Sequence, residues 1–209
     1  MLGSGKSTLI AAMAARGMQI VKSDDLAREL MENDSSLRKR LIEILGEKAY
    51  ASSNTSSKVP RLDRAYIASV IFSDSGMRKL IESAVHPVVT SEIEKIFKKH
   101  NNGRPVAVES ALILQTKFQE RFDYIVLVEA PKAASLKRAM ESNRMTEADA
   151  MARLDEQVRD GPDTDEADFI IENSGSKEDF EKRCVALLDL LEVIEGRDLP
   201  DEPLHSLPE

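Results

Sequence analysis

Near its start the chain reads Gly3-Ser4-Gly5-Lys6-Ser7-Thr8, followed at once by the helix-forming run Leu9-Ile10-Ala11-Ala12-Met13-Ala14-Ala15. That pairing makes a nucleoside triphosphate the first ligand to consider. A glycine-rich turn points successive backbone N–H groups at phosphates, and the following helix N-terminus adds partial positive charge. Lys6 is expected to reach the β- and γ-phosphates, and the Ser7 hydroxyl to ligate Mg²⁺. A Gly/Ser turn before an Ala-rich helix is also ordinary helix punctuation. Lys-Ser-Thr directly after the second glycine is not needed for that.

The full pattern is G-x-x-x-x-G-K-[ST], and counting back from Gly5 puts its first glycine one residue before Met1. A P-loop normally follows a parallel strand, which in P-loop kinases lies mid-sheet, where its loss leaves neighbouring backbone donors and acceptors unpartnered. The expectation is that the chain starts late. A protein truly beginning at Met1 should fold poorly and bind ATP weakly, and a strand ending in Gly-Gly before Met1 should restore both.

Four short runs rich in Val or Ile stand between helical stretches: Met18–Val21, Pro105–Glu109, Tyr124–Glu129 and Asp168–Glu172. Such runs separated by helices indicate an α/β fold with a parallel sheet covered on both faces. With the first, central strand added, they make the five strands of a P-loop kinase core. Leu26–Leu45 reads as one amphipathic helix ending near Gly46, and Ala51–Pro60 as a loop. From Leu62 to His100 the pattern is helical, interrupted at His86-Pro87 because proline disfavours helix at the residue before it. After Gly196 the tail carries Pro200, Pro203 and Pro208 among acidic residues and is expected to be disordered. Residues 1–195 form the expected kinase domain, with a helical part at 62–100 and a lid at 138–166.

With 209 residues, 42% of them hydrophobic, the chain is long enough to bury a substantial core. A net charge of -8 argues against broad nucleic-acid binding, which wants a basic face. The single Cys184 rules out an intrachain disulfide, suits a reducing compartment, and falls in a helical pattern with Leu187, Leu188 and Leu191 that marks it as a core thiol. No apolar run is long enough to span a bilayer. The expected location is the cytoplasm.

Taken together, the chain resembles the dephospho-CoA kinases, P-loop enzymes that phosphorylate the ribose 3′-hydroxyl of dephospho-CoA. The resemblance is carried by Gly3–Thr8, Asp24 ahead of Ala27-Arg28, Leu62-Asp63-Arg64 and Ile71-Phe72-Ser73-Asp74. It continues through His86-Pro87, Leu136-Lys137-Arg138, Arg153 with Gln157, and Ala167-Asp168 leading to Asn173-Ser174-Gly175. It implies ATP and Mg²⁺ as cofactors and a small-molecule acceptor, with no nucleic-acid or membrane partner.

By the same resemblance, Lys6, Asp24 and Arg138 are the catalytic candidates. Phosphoryl transfer runs through a loose transition state, so in-line positioning and charge neutralisation carry most of the catalysis. Asp24 accepts or orients the acceptor hydroxyl proton; a helix-capping role for Asp24-Asp25 competes with this. Gly3, Ser4, Gly5, Lys6, Ser7 and Thr8 hold the nucleotide, with Asn173 and Gly175 in the adenine-contacting loop, although Asn and Gly mark any turn. Arg64 and His86 join Asp24 on the acceptor side. A solvated surface arginine and a histidine that closes a helix before Pro87 are the plainer readings. Glu109, where the family usually has Asp, would hold Mg²⁺ through water alongside Ser7, or cap the next turn. Arg138, Arg144 and Arg153 lie in the lid, or on a charged helix face with pairs such as Asp149–Arg153.

Several positions depart from the family pattern. Lys22 stands for an acid, Ala111-Leu112-Ile113 for Pro-Leu-Leu, Gln115 for an acid and Ser142-Asn143 for Arg-Asp, while Asp160 and Asp163 replace basic residues. Carboxylates in place of cations near a triphosphate are unfavourable by Coulomb repulsion. Two other readings therefore stand beside the dephospho-CoA kinase: a P-loop kinase for another small hydroxyl acceptor, and a non-catalytic nucleotide-binding homologue.

Overall fold

Val- and Ile-rich runs become strands close to where the sequence places them. In chain order the elements are α1 (Lys6–Ala15), β1 (Gln19–Lys22), α2 (Ser23–Asn33), α3 (Ser35–Leu45), β2 (Tyr50–Ala51), β3 (Arg61–Leu62), α4 (Arg64–Ser73) and α5 (Ser75–Lys99). There follow β4 (Val106–Glu109), β5 (Val126–Glu129), α6 (Lys132–Asn143), α7 (Glu147–Arg159), β6 (Phe169–Glu172) and α8 (Lys177–Ile194). The computed structural model describes residues 2–51, 61–99, 104–110, 117–143, 146–159 and 167–196. The chain divides into two units, one comprising Met1–Ile20 with Arg104–Glu209 and the other Val21–Gly103.

In the first unit β5 and β6 pair in parallel, with Val126 opposite Phe169 and Glu129 opposite Glu172. Gln19, at the start of β1, donates its N–H to the Pro105 carbonyl just ahead of β4 at 3.0 Å. Leu9 and Ala12 of α1 pack with Val128, Ile171 and the α8 residues Phe180, Cys184, Leu187, Leu188 and Leu191. Cys184 is fully buried there, and desolvation of its thiolate pushes the thiol pKa up to about 11. It is a core thiol, as expected. Ser176 and Asp179 close a reciprocal capping box at the start of α8.

Arg16 closes α1 and ties it to α8. Its guanidinium pairs with Asp189 and, at 2.8 Å, with Glu192, while its side chain is only 4% exposed. Burial alone pulls the arginine pKa down, but the hydrogen bonds it donates to the two carboxylates outweigh that and hold the group above its ordinary value. Removing a buried cation strands its partners, although the exposure of Asp189 at 41% moderates the cost. Arg16→Met is expected to destabilise by about 2 kcal/mol, lowering Tm by roughly 4–8 °C in a thermal melt. An unchanged Tm would show that the pair contributes nothing.

Among the described residues the second unit holds the end of β1 (Val21–Lys22), helices α2 to α5 and the paired strands β2 and β3, in which Tyr50 faces Leu62 and Ala51 faces Arg61 in antiparallel register. Ala51 and Leu62 are thus strand residues, where a loop and a helix were expected; the Ser52–Pro60 part of that loop lies outside the described residues. The amphipathic stretch expected as one helix is two. Asp34 leaves helical geometry at ψ 116° and accepts the Leu37 N–H at 2.7 Å, capping α3 afresh.

The expected interruption at His86-Pro87 does not occur: α5 runs through both residues. Pro87 removes one backbone donor, at a cost of about 3 kcal/mol in an isolated helix. Here Ile81, Ala84, Val85, Val89 and Ile93 bury one face of α5 on both sides of the proline, and that packing prevails. The break falls instead at Asp74, whose carboxylate accepts the N–H groups of Gly76 at 2.8 Å and Met77 at 3.0 Å.

Candidate functional site: a pinned glycine loop and an acidic helix start

Gly5 is the N-cap of α1, at φ 106° and ψ 11°, and its carbonyl accepts the Thr8 N–H at 3.0 Å. A side chain rarely tolerates that backbone, and at Gly5 no space exists for one. A Cβ would lie 2.4 Å from Asn173 Nδ2 and 2.8 Å from Phe180 Cε1. At Gly3, with φ 67°, a Cβ would meet the Ser135 carbonyl oxygen at 2.2 Å. The loop is therefore held from three sides: by α6 at Ser135, by the turn after β6 at Asn173, and by α8 at Phe180. Lys6 and Ser7 open the helix, and its first turn leaves N–H groups without intrahelical partners. This is the local structure that a phosphate needs.

Gly5→Ala is expected to lower Tm by several degrees and to weaken ATP binding together, since a left-handed non-glycine residue costs about 1–3 kcal/mol before any clash. Calorimetry and a melt of the variant check this. Unchanged values would mean that the loop is looser than its contacts indicate.

Arg138, on α6, reaches the same loop. Its Nη2 donates to Asn173 Oδ1 at 3.1 Å and to the Asn173 carbonyl at 3.3 Å, and its Nη1 donates to the Gly3 carbonyl at 3.4 Å. Asn173 in turn gives its Nδ2 to the Ser4 carbonyl at 2.9 Å and its backbone N–H to Glu129, the last residue of β5, at 2.7 Å. Ser4 and Ser135 are both buried, and neither hydroxyl has a hydrogen-bond partner among the described residues. Glu109 sits half-buried at the end of β4 in this same unit. Gly3, Ser4, Gly5, Arg138 and Asn173 are thus brought together. Gly175 adjoins Asp179 in the α8 cap.

In the stretch expected to be a lid, Arg153 lies on α7 and Asp149 is taken up by Thr146, whose hydroxyl donates to it at 2.6 Å and accepts its N–H at 3.2 Å. Lys132 of α6 pairs with Asp155 of α7. Arg144, Asp160 and Asp163, as well as Ala111, Leu112, Ile113 and Gln115, lie outside the described residues.

Asp24, Arg64 and His86 belong to the second unit. Helix α2 begins at Ser23, its N-cap Lys22 makes no side-chain capping bond, and Asp25, not Asp24, pairs with Arg28 at 2.7 Å. Asp24 is exposed in the first turn, and the capping role weighed for it finds no bond to support it. Arg64 is 64% exposed and pairs with Glu32 at 2.8 Å. Exposed pairs of this kind are worth little, so Glu32 is readily exchanged for another anion. His86 lies mid-helix in α5, so it does not close a helix before Pro87.

Two contributors had little signal in the sequence. Phe180 underlies the loop, and Ser135 crowds Gly3 with a carbonyl, a group every residue carries. The Ser176–Asp179 spacing that sets the start of α8, and so the place of Phe180, was legible as a capping pattern.

Among the described residues no group of three or more His, Cys, Asp or Glu side chains could hold a metal ion, and no helix is long and apolar enough to cross a membrane. The family model for dephospho-CoA kinase matches residues 1–179. A dephospho-CoA kinase of Anaeromyxobacter dehalogenans is 29% identical over 204 residues, covering 97% of this chain and 94% of its own. A solved structure from Thermus thermophilus has 29% identity and a TM-score of 0.68, covering 91% of this chain and 93% of its own. A solved dephospho-CoA kinase of Campylobacter jejuni, at 24% identity and a TM-score of 0.64 with 92% of each chain covered, shares the fold. With a tightly packed glycine loop at the head of an α/β unit and a family match over most of its length, the chain belongs to the dephospho-CoA kinase family.

Proposed function

We propose that this chain transfers the γ-phosphoryl group of ATP to the ribose 3′-hydroxyl of dephospho-CoA, giving coenzyme A and ADP, as a cytoplasmic enzyme. The observation that carries the reading is the Gly3–Lys6 backbone, left-handed at both glycines and packed too tightly for any side chain at either. The family match supplies the acceptor.

In this reaction the acceptor O3′ bonds to the γ-phosphorus as the bond from that phosphorus to the β–γ bridging oxygen breaks. The hydroxyl proton passes to Asp24, and ADP leaves. Lys6 neutralises charge on the β- and γ-phosphates, and Arg138 adds a second cation beside the loop. Arg64 exchanges Glu32 for an acceptor phosphate, and His86 contributes to the acceptor side. The donor chemistry fits Mg²⁺, a hard cation that keeps several waters and takes few protein ligands: the Ser7 hydroxyl and the Glu109 carboxylate are both oxygen donors. Bound there, Mg²⁺ would neutralise phosphate charge.

A coupled ADP-release assay tests the reading. Release that requires both Mg²⁺ and dephospho-CoA, and that stops on adding EDTA, is the expected outcome. ADP release indifferent to dephospho-CoA would overturn the acceptor assignment.

A further inference from the structure

The contacts of Asn173 suit a different task from touching a nucleotide base. We propose that Asn173, together with Arg138, is a positioning residue that sets the orientation of two consecutive peptide groups of the phosphate loop. The proposal rests on the reading that this loop holds phosphates.

Asn173 is 6% exposed. Its Nδ2 donates to the Ser4 carbonyl, its Oδ1 and its own carbonyl accept from Arg138, and its N–H is held by Glu129 at the end of the β5–β6 ladder. A side chain so placed reaches a base only by giving up these bonds. A trans peptide points its C=O and N–H in opposite directions. Gripping the Ser4 carbonyl therefore aims the Gly5 N–H away from Asn173. Arg138 does the same one peptide earlier: holding the Gly3 carbonyl aims the Ser4 N–H away from Arg138.

Neither of those two N–H groups has a hydrogen-bond partner among the described residues. Successive oriented N–H groups form an anion-binding nest. Asn173 thus acts on every ligand through its phosphates and on none through its base. It also couples the loop to α6, because the Oδ1 that receives Arg138 belongs to the same amide that holds Ser4.

The test compares Asn173→Ala and Asn173→Asp with the unchanged protein, using calorimetric titration of ATP, GTP and inorganic tripolyphosphate. Asn173→Asp retains an acceptor for Arg138 but sets a carboxylate oxygen against the Ser4 carbonyl, and it keeps the side-chain shape should the alanine variant fold poorly. Both variants are expected to weaken ATP and tripolyphosphate by the same factor, about tenfold, with the ATP-to-GTP preference unchanged. Weakened ATP binding with unaltered tripolyphosphate binding would show a base contact and overturn the proposal, as would no weakening of either.

A ligand-free crystal structure of Asn173→Asp separates this from the nucleotide reading. The Ser4 carbonyl is expected to turn away from residue 173, and an unmoved carbonyl would overturn the positioning role. If the unchanged protein binds neither phosphate ligand, the nucleotide reading fails, and the carbonyl orientation still decides the role of Asn173.

Discussion

Replacing Lys6 by alanine should reduce ATP-dependent turnover by about 10²- to 10³-fold, the usual cost of losing one preorganised charge or donor at a developing negative charge. Lys6 is the first residue of α1, directly after the Gly5 cap, so its position is set by a backbone that the walls of the loop hold in place. In the proposed reaction its cation joins the α1 dipole and Arg138 in opposing the phosphate charge. Because the backbone cradle stays intact, Lys6→Ala should remain folded with its Tm little changed. ADP release by the variant checks this, and turnover equal to that of the unchanged protein would remove the loop from the mechanism.

Asp24→Asn should lower kcat by about 10²- to 10⁴-fold, the range for losing a general base, while ATP affinity stays as it was. The carboxylate is exposed in the first turn of α2, with Asp25 spent on Arg28 instead. Its structural worth is confined to the interaction of a first-turn acid with the helix dipole, about 0.3–1 kcal/mol. Kinetics and ATP titration together read the split. Equal loss of turnover and ATP binding, or a large fall in Tm, would return Asp24 to a structural part.

Much of the strand framework was legible because buried parallel strands are marked by β-branched residues. The runs expected at Pro105–Glu109, Tyr124–Glu129 and Asp168–Glu172 contain β4, β5 and β6. The errors came where a single carboxylate competed with helix periodicity. Asp34 and Asp74 each stop one helix and cap the next, and the cluster Asn33-Asp34-Ser35-Ser36 carried that signal in plain view. At Pro87 the local backbone cost is outweighed by the buried apolar face of α5, which the His-Pro step itself does not reveal. The hairpin at Tyr50–Ala51 and Arg61–Leu62 is too short for a period of two to register.

The site divides in the same way. Gly3 and Gly5 were readable because only glycine meets the backbone demands of so crowded a left-handed turn. Asn173 was legible as a residue of interest but not in its geometry: an Asn after a strand looks the same whether its amide turns toward a ligand or toward Ser4. Arg16 gave no sign at all, because its partners Asp189 and Glu192 lie far along the chain and meet it only once α1 packs on α8.

Phosphorus NMR of the products formed from MgATP and dephospho-CoA is the most direct measurement. A new phosphomonoester resonance on the ribose 3′-oxygen, appearing in step with ADP, is the predicted result. ADP with inorganic phosphate alone, or an unchanged spectrum from folded protein that binds ATP, would contradict it.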